Sequence, residues 1–303
     1  MVEMNPPQCN FTSLAGYSEM ALKFMWQALN SNFAIALIAA AAGAFFGAWG
    51  AQRIAERSKR REELLRELRN TNVAIVLATT TCNAAVAVKK QQVRPWYEKF
   101  KQDKEAFRTF VEQRKTGQVQ GDAQYYFQAD LTLFGPPETP IATLKQLVFY
   151  EISAYGRALG LVSALDQSIL RLRRAISKRN ELIQQFKDRG GSRASDFPAR
   201  YFGMPISGFT DREYSDVADA IRSYLDDIVF FSSRLCEDLV LHGNEVRERF
   251  VKPGAKDVPN VTNVDFSQAR ADGLIPTDAQ YQDWLNGFVK RELGGKDSVS
   301  DRE

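Results

Sequence analysis

Hydrophobic and polar positions alternate along this chain on two distinct scales. Near the N-terminus, Phe33 to Ala51 reads FAIALIAAAAGAFFGAWGA without a charge. As a helix this run is about 28 Å long, close to the roughly 30 Å hydrocarbon core of a bilayer. Only a structure that satisfies its own backbone hydrogen bonds crosses lipid, so the pattern predicts a single transmembrane helix. The helix is expected to continue into RIAERSKRREELLRELRN, which lacks Gly and Pro and sets Glu62 and Arg66 at neighbouring positions on one face. Asn72 to Val88 is apolar again, but it is shorter, contains Thr79, Thr80, Thr81 and Asn83, and is followed by Lys89 and Lys90. Those features predict a helix buried in protein rather than a second span.

Beyond this point the apolar spacing is helical. The first helix is expected to stop near Arg94-Pro95, with another over Trp96 to Lys115 carrying Trp96, Phe100, Phe107 and Phe110 on one face. Gly117 to Pro140 reads as a loop or short hairpin packed by Tyr125, Tyr126 and Phe127, and Thr139-Pro140 as a cap and first helical position. From Ile141 to Lys187 a three–four spacing runs through Leu144, Val148, Tyr155, Val162, Leu165, Ile169, Leu172, Ile176 and Ile183, broken only by Glu151 and Arg179. Six heptads of that spacing predict one long helix with a coiled-coil-like edge. Thr210 to Glu213 (TDRE) matches a capping box and opens a second seam: Tyr214, Val217, Ile221, Tyr224, Ile228, Phe231, Leu235, Leu239, His242, Val246. A reversal through 188–209 would lay the two helices antiparallel in a bundle. After Pro253-Gly254 the chain reads as a linker. Thr277 to Gln280 (TDAQ) is a second capping box, opening a short helix whose Tyr281, Trp284, Leu285 and Phe288 are expected to dock back on the bundle. The tail GGKDSVSDRE is polar enough to be disordered.

Charge placement orients the span. Before Phe33 the charged side chains are Glu3, Glu19 and Lys23; after Ala51 come Arg53, Arg57, Lys59, Arg60, Arg61, Arg66 and Arg69. A secretory signal peptide has the opposite order, and basic flanks stay cytoplasmic, so the N-terminus is expected outside and the large C-terminal part in the cytoplasm of a cell, as in a bacterial inner membrane. Ala39, Gly43, Gly47 and Ala51 form a ladder of small residues four apart, the spacing that lets membrane helices associate closely. Trp49 would anchor at the headgroups, and Phe24, Met25 and Trp26 suit a short amphipathic helix on the outer leaflet.

Composition removes several function classes. Of 303 residues, 40 are Lys or Arg and 37 Asp or Glu, a net charge of +3 that gives no basis for nucleic-acid binding. Cys9, Cys82 and Cys236 are too scattered for a disulfide framework or a zinc site; Cys82 and Cys236 read as packed thiols, and Cys9 would be alone outside. The lone histidine, His242, falls on a packing seam and reads as a hydrogen-bonded interface residue. Gly190-Gly191-Ser192-Arg193 lacks the Gly-Lys-Ser/Thr end of a phosphate loop and reads as a turn. The pairs Asp226-Asp227 and Glu237-Asp238 read as mostly solvated. Arg171, Arg173, Arg174, Lys178 and Arg179 form a basic stretch suited to pairing with Asp226 and Asp227.

The resulting expectation is an all-α chain: an extracytoplasmic segment 1–32, a transmembrane helix 33–51, a cytoplasmic stalk and bundle of long coiled-coil-like helices over 52–252, and a linker, short helix and tail over 253–303. No catalytic, cofactor-binding or metal-binding residues stand out. The expected role is a non-enzymatic, self-associating scaffold or adaptor, with membrane lipid, further copies of itself and a cytoplasmic protein as partners. An oligomeric membrane effector, or channel-like subunit gated by the bundle, is the alternative.

Overall fold

The computed structural model describes residues 20–27, 32–120, 123–188, 196–206, 208–250 and 258–288. Cys9, the Gly190-Gly191 turn, Pro253-Gly254 and the polar tail lie outside them, as does most of the expected extracytoplasmic segment. The described residues are mostly helical, with one antiparallel ribbon of two residues a side. In chain order they form α1 (20–27), α2 (Asn32–Val88), a π-helical turn (Lys89–Val93), α3 (Arg94–Lys115), α4 (Ile141–Gln146), a second π-helical turn (Leu147–Glu151), α5 (Arg157–Asp188), α6 (Phe197–Phe202), β1 (Pro205–Ile206), β2 (Phe209–Thr210), α7 (Glu213–Phe250), α8 (Ser267–Ala271), a 3-10 turn (Asp278–Tyr281) and α9 (Gln282–Asn286). The chain divides into two units, Met1–Glu63 and Leu64–Glu303.

In the first unit, α1 and the apolar part of α2 leave their large side chains in the open: Phe24, Trp26, Ile35, Ile38, Phe45, Phe46 and Trp49 are all exposed.

The second unit is a helical bundle with α5 and α7 at its centre. Their antiparallel course is fixed at both ends, since Arg157 pairs with Asp238 at 2.5 Å and Lys178 with Glu213 at 2.8 Å. On α5 the buried set comprises Leu161, Leu165, Ser168, Leu172, Ala175, Arg179, Leu182 and Phe186 as well as Val162, Ile169, Ile176 and Ile183. That stripe is wider than a two-in-seven seam, and it is the face of a globular bundle helix rather than of a coiled coil. On α7, Ile228 to Ser233 are buried without a break, so the middle of this helix is covered on every side. Besides α5, its cover is α2 and the C-terminal segment 258–288.

The α2 contact works through small residues. Ala74, Ala78, Cys82 and Ala85 are fully buried, and the thiols reach across, Cys82 to the Val229 carbonyl and Cys236 to the Ile75 carbonyl, each at 3.9 Å. Burial raises both thiols, Cys82 to about 11 and Cys236 to about 12, which keeps them protonated packing groups. The hydroxyls of Thr79, Thr80 and Thr81 each donate to the carbonyl four residues back, so they add no unsatisfied donor. Gly243 marks the closest approach: a Cβ there would stand 3.0 Å from Val261 and 3.3 Å from Thr71. Asn72 then pins segment 258–266, donating to the Asn260 carbonyl and accepting from the Thr262 amide, both at 2.9 Å.

Several sequence expectations are corrected here. The helix does not stop at Arg94-Pro95, because a π-helical turn absorbs the missing proline donor and Val88, Val93 and Arg94 all keep right-handed helical dihedrals. The expected helix over 141–187 is two: it leaves helical geometry after Glu151, Ile152 is extended (φ −128°, ψ 148°), and Gly156 turns at φ +60° before α5 begins. The expected seam through Glu151 and Tyr155 does not hold across this break: Tyr155 is exposed, and Ile152, one residue off that seam, is buried instead. Thr139 is not a cap; its hydroxyl is buried without a partner and α4 starts at Ile141. Thr210 is a strand residue, and it is the Asp211 carboxylate that accepts the Glu213 amide at the head of α7. The reversal 188–209 contains α6, whose Phe197, Tyr201 and Phe202 are buried, and which the sequence reading missed. The supposed linker after 253 is structured from residue 258, with Phe266, Leu274 and Ile275 buried and one helical turn, α8.

Two loop readings fare better. Residues 117–140 are non-helical where described and are packed by two of the three expected aromatics, with Tyr125 5.1 Å from Phe107 and Phe127 4.8 Å from Phe202 between ring centroids, while Tyr126 is exposed. The Thr277–Gln280 capping box is present, and the helix after it docks: Tyr281 stacks on Phe230 at 3.8 Å and Trp284 lies 5.0 Å from Phe231.

Candidate functional site

The apolar part of α2 has the length and composition to cross a membrane, and none of its most apolar window is buried by protein. Among the described residues it is the one helix that meets this test, although a signal sequence near an N-terminus meets it too. Ala39, Gly43, Gly47 and Ala51 fall four apart on this helix and so share one face. A Cβ built on Gly43 or Gly47 meets nothing within 4 Å, which leaves that face open for close approach. Arg53 lies with its guanidinium 4.3 Å over the Trp49 ring at the polar end of the run. Arg57, Lys59, Arg60 and Arg61 follow on exposed positions, where Gln52–Glu56 and Lys59–Glu63 supply local polar pairs.

In the second unit the polar chemistry is interior, and much of it joins elements far apart in sequence. His242 Nε2 lies 3.1 Å from Glu67 Oε1, and the same oxygen accepts the Ser153 amide at 3.1 Å and the Ser153 hydroxyl. One carboxylate therefore ties α2, the break before α5 and α7 together. Burial pushes the Glu67 carboxyl up, but the Ser153 donors and His242 outweigh it and hold it below its ordinary value. Ser, His and Glu here do not form a nucleophilic relay, because the serine and the imidazole both address the carboxylate instead of each other. A cavity of about 400 Å³ opens beside this junction, lined by Tyr155, Arg157, Asp238, Leu241 and Phe288 among others.

The acidic pairs of α7 are not solvated. Asp226 pairs with Lys89 at 2.5 Å, Asp227 accepts the Tyr281 hydroxyl at 2.7 Å, Asp238 takes a two-pronged bond from Arg157, and Glu237 meets Arg234 and Arg270. The expected pairing of Asp226 and Asp227 with the basic stretch is not formed. Arg171, Arg173 and Arg174 are exposed, and Lys178 takes Glu213. These carboxylates sit on the part of α7 that faces the C-terminal segment 258–288 or the start of α5.

Arg179 is fully buried. Its guanidinium lies 3.8 Å over Phe134 and 4.6 Å over Trp96, and it donates to the Thr132 carbonyl at 2.7 Å. The charge is stabilised by ring faces and backbone oxygens of the 117–140 segment. Its position in an otherwise apolar seam was the sequence signal for such a cage; its aromatic partners, 45 to 83 residues away, were not readable. Among the described residues no three metal-ligating side chains gather in a common site. No protein-family model matches this sequence, and neither a curated protein nor a solved structure matches it.

Proposed function

We propose that this chain is a non-enzymatic, single-pass membrane scaffold. Its N-terminus is outside, residues 33–51 lie in the bilayer, and the helical unit after Glu63 faces the cytoplasm. The observation that carries the reading is the uncharged, wholly unburied apolar run of α2, closed by Trp49 and Arg53 and followed by a basic flank. The scaffold part of the reading is supported by polar groups that bridge helices, as Glu67 and Asp238 do. In this reading the Ala39–Gly43–Gly47–Ala51 face brings copies together in the membrane.

Cysteine accessibility tests the topology, in a background where the native cysteines are replaced by serine. A cysteine at Ser13 should react in intact cells with an impermeant maleimide, a cysteine at Lys187 should react only after lysis, and the intact chain should resist alkaline extraction. Release at alkaline pH, or the opposite labelling, overturns the proposal.

A further inference from the structure

The π-helical turn Lys89–Val93, α7 and the segment after α8 enclose a cavity of about 470 Å³, a volume usual for small-molecule sites. Its floor holds a neutral pair, Lys89 with Asp226, whose side chains are only 14% and 17% exposed. Lys89 also donates to the Leu274 carbonyl at 2.6 Å, so this pair is structural. The walls are different. Arg94, Arg222 and Arg270 line the cavity with their side chains about half exposed, against Glu98 as the one further lining carboxylate. Arg270 is held by Glu237, and Arg94 by Glu98 at 3.0 Å. Arg222 is the least engaged: it stands 3.8 Å from Asp226, which Lys89 already neutralises, with its guanidinium 5.6 Å from the Tyr97 ring centroid.

We infer that this cavity binds a small phosphorylated ligand, with the Arg94 and Arg222 forks on its phosphate and Tyr97 and Ile275 against its apolar part. With Lys89 on Asp226, Arg94 on Glu98 and Arg270 on Glu237, the four lining cations leave one positive charge in surplus, that of Arg222. Arginine forks match phosphate oxygens two at a time, which lysine cannot do. π-helical turns also recur at functional sites, and this one sets Lys89 and Val93 at the cavity. The site does not depend on which side of a membrane the unit faces.

Calorimetric titration of the full chain in neutral-lipid nanodiscs tests this with two probes, pyrophosphate and dioctanoyl phosphatidic acid. Saturable one-to-one binding of pyrophosphate identifies a soluble phosphorylated ligand; binding of phosphatidic acid alone identifies a phosphorylated headgroup. The double variant Arg94→Gln/Arg222→Gln should weaken that binding at least tenfold, and Arg222→Gln alone at least threefold if the double variant fails to fold. Arg108→Gln, exposed on α3 away from the cavity, should stay within twofold of the parent. No saturable binding of either probe, undiminished binding in Arg222→Gln, or an equal loss in Arg108→Gln overturns the site.

Discussion

His242 Nε2 and Glu67 Oε1 are 3.1 Å apart, with side chains only 8% and 17% exposed. The one histidine of the chain thus joins α7 to α2 across 175 residues of sequence. Removing the acceptor is worse than altering the donor, because Glu67→Ala leaves the buried imidazole without its partner and also releases the Ser153 amide and hydroxyl, which tie the break before α5 to α2. Glu67→Ala should cost about 2–3 kcal/mol. His242→Gln keeps an N–H donor of similar reach and should cost less than about 1 kcal/mol. Urea denaturation of the detergent-solubilised protein measures both, and equal losses would show that the carboxylate is not the hub.

The same junction has a defined acid sensitivity. Glu67 is held below its ordinary value when folded, so its stabilising contribution is complete above the unfolded-chain value of about 4.3 and is lost as pH falls through the lower folded value. Arg66–Glu151 and Arg157–Asp238 lie nearby and are unchanged by a substitution at 67. Between about pH 6 and pH 3.5 the parent should therefore lose more stability than Glu67→Gln. Parallel slopes in urea midpoints against pH would contradict the assignment.

Arg179 tests whether a buried cation is held by ring faces. Arg179→Ala leaves both a cavity and an unpaired Thr132 carbonyl, for a loss of about 3–4 kcal/mol. Arg179→Met fills most of the volume without a charge to desolvate and should lose about half as much. If methionine is as damaging as alanine, the guanidinium and not its bulk organises the 117–140 segment.

Sequence legibility followed the range of the interactions. The α5 and α7 faces, the apolar run of α2 and the Thr277 capping box are written in residues close together, and periodicity or local pairing reveals them. The break at Ile152–Gly156 is masked because residues of helical three–four spacing continue across it, even though Tyr155 on that spacing is exposed. The partners of Glu67, Lys89 and Asp238 lie 81 to 185 residues away, and no local pattern encodes such pairings. The same holds for the phosphate cavity, whose arginines come from α3, α7 and α8 and meet only once the C-terminal segment has folded back.

That folding back makes its own prediction. Phe231 meets both Tyr281 and Trp284, at 5.5 and 5.0 Å between centroids. Phe231→Ala should cost about 3–5 kcal/mol and Trp284→Ala less, since Trp284 is only half-buried. The double variant should cost less than their sum, because each single change already removes the shared contact. Hydrogen exchange should show amides of 267–286 losing protection in both single variants. Additive losses with unchanged exchange would mean that the segment is held elsewhere.

The open face of α2 supplies the last test. Beyond its own chain neighbours and the helix backbone, a Cβ on Gly43 or Gly47 meets nothing within 4 Å, so this face of α2 is open. The contact that Gly43→Ile with Gly47→Ile would disturb is therefore with a neighbouring helix in the bilayer. Close backbone approach is what small residues four apart permit, and isoleucine at both positions should weaken association by about 1 kcal/mol or more. A membrane two-hybrid assay reads this directly, with Leu37→Ile as a control for added β-branching on the same helix. A signal that falls in the double variant and not in the control supports self-association through this face. An unchanged signal in the double variant would reduce the ladder to composition and remove self-association in the membrane from the proposed function.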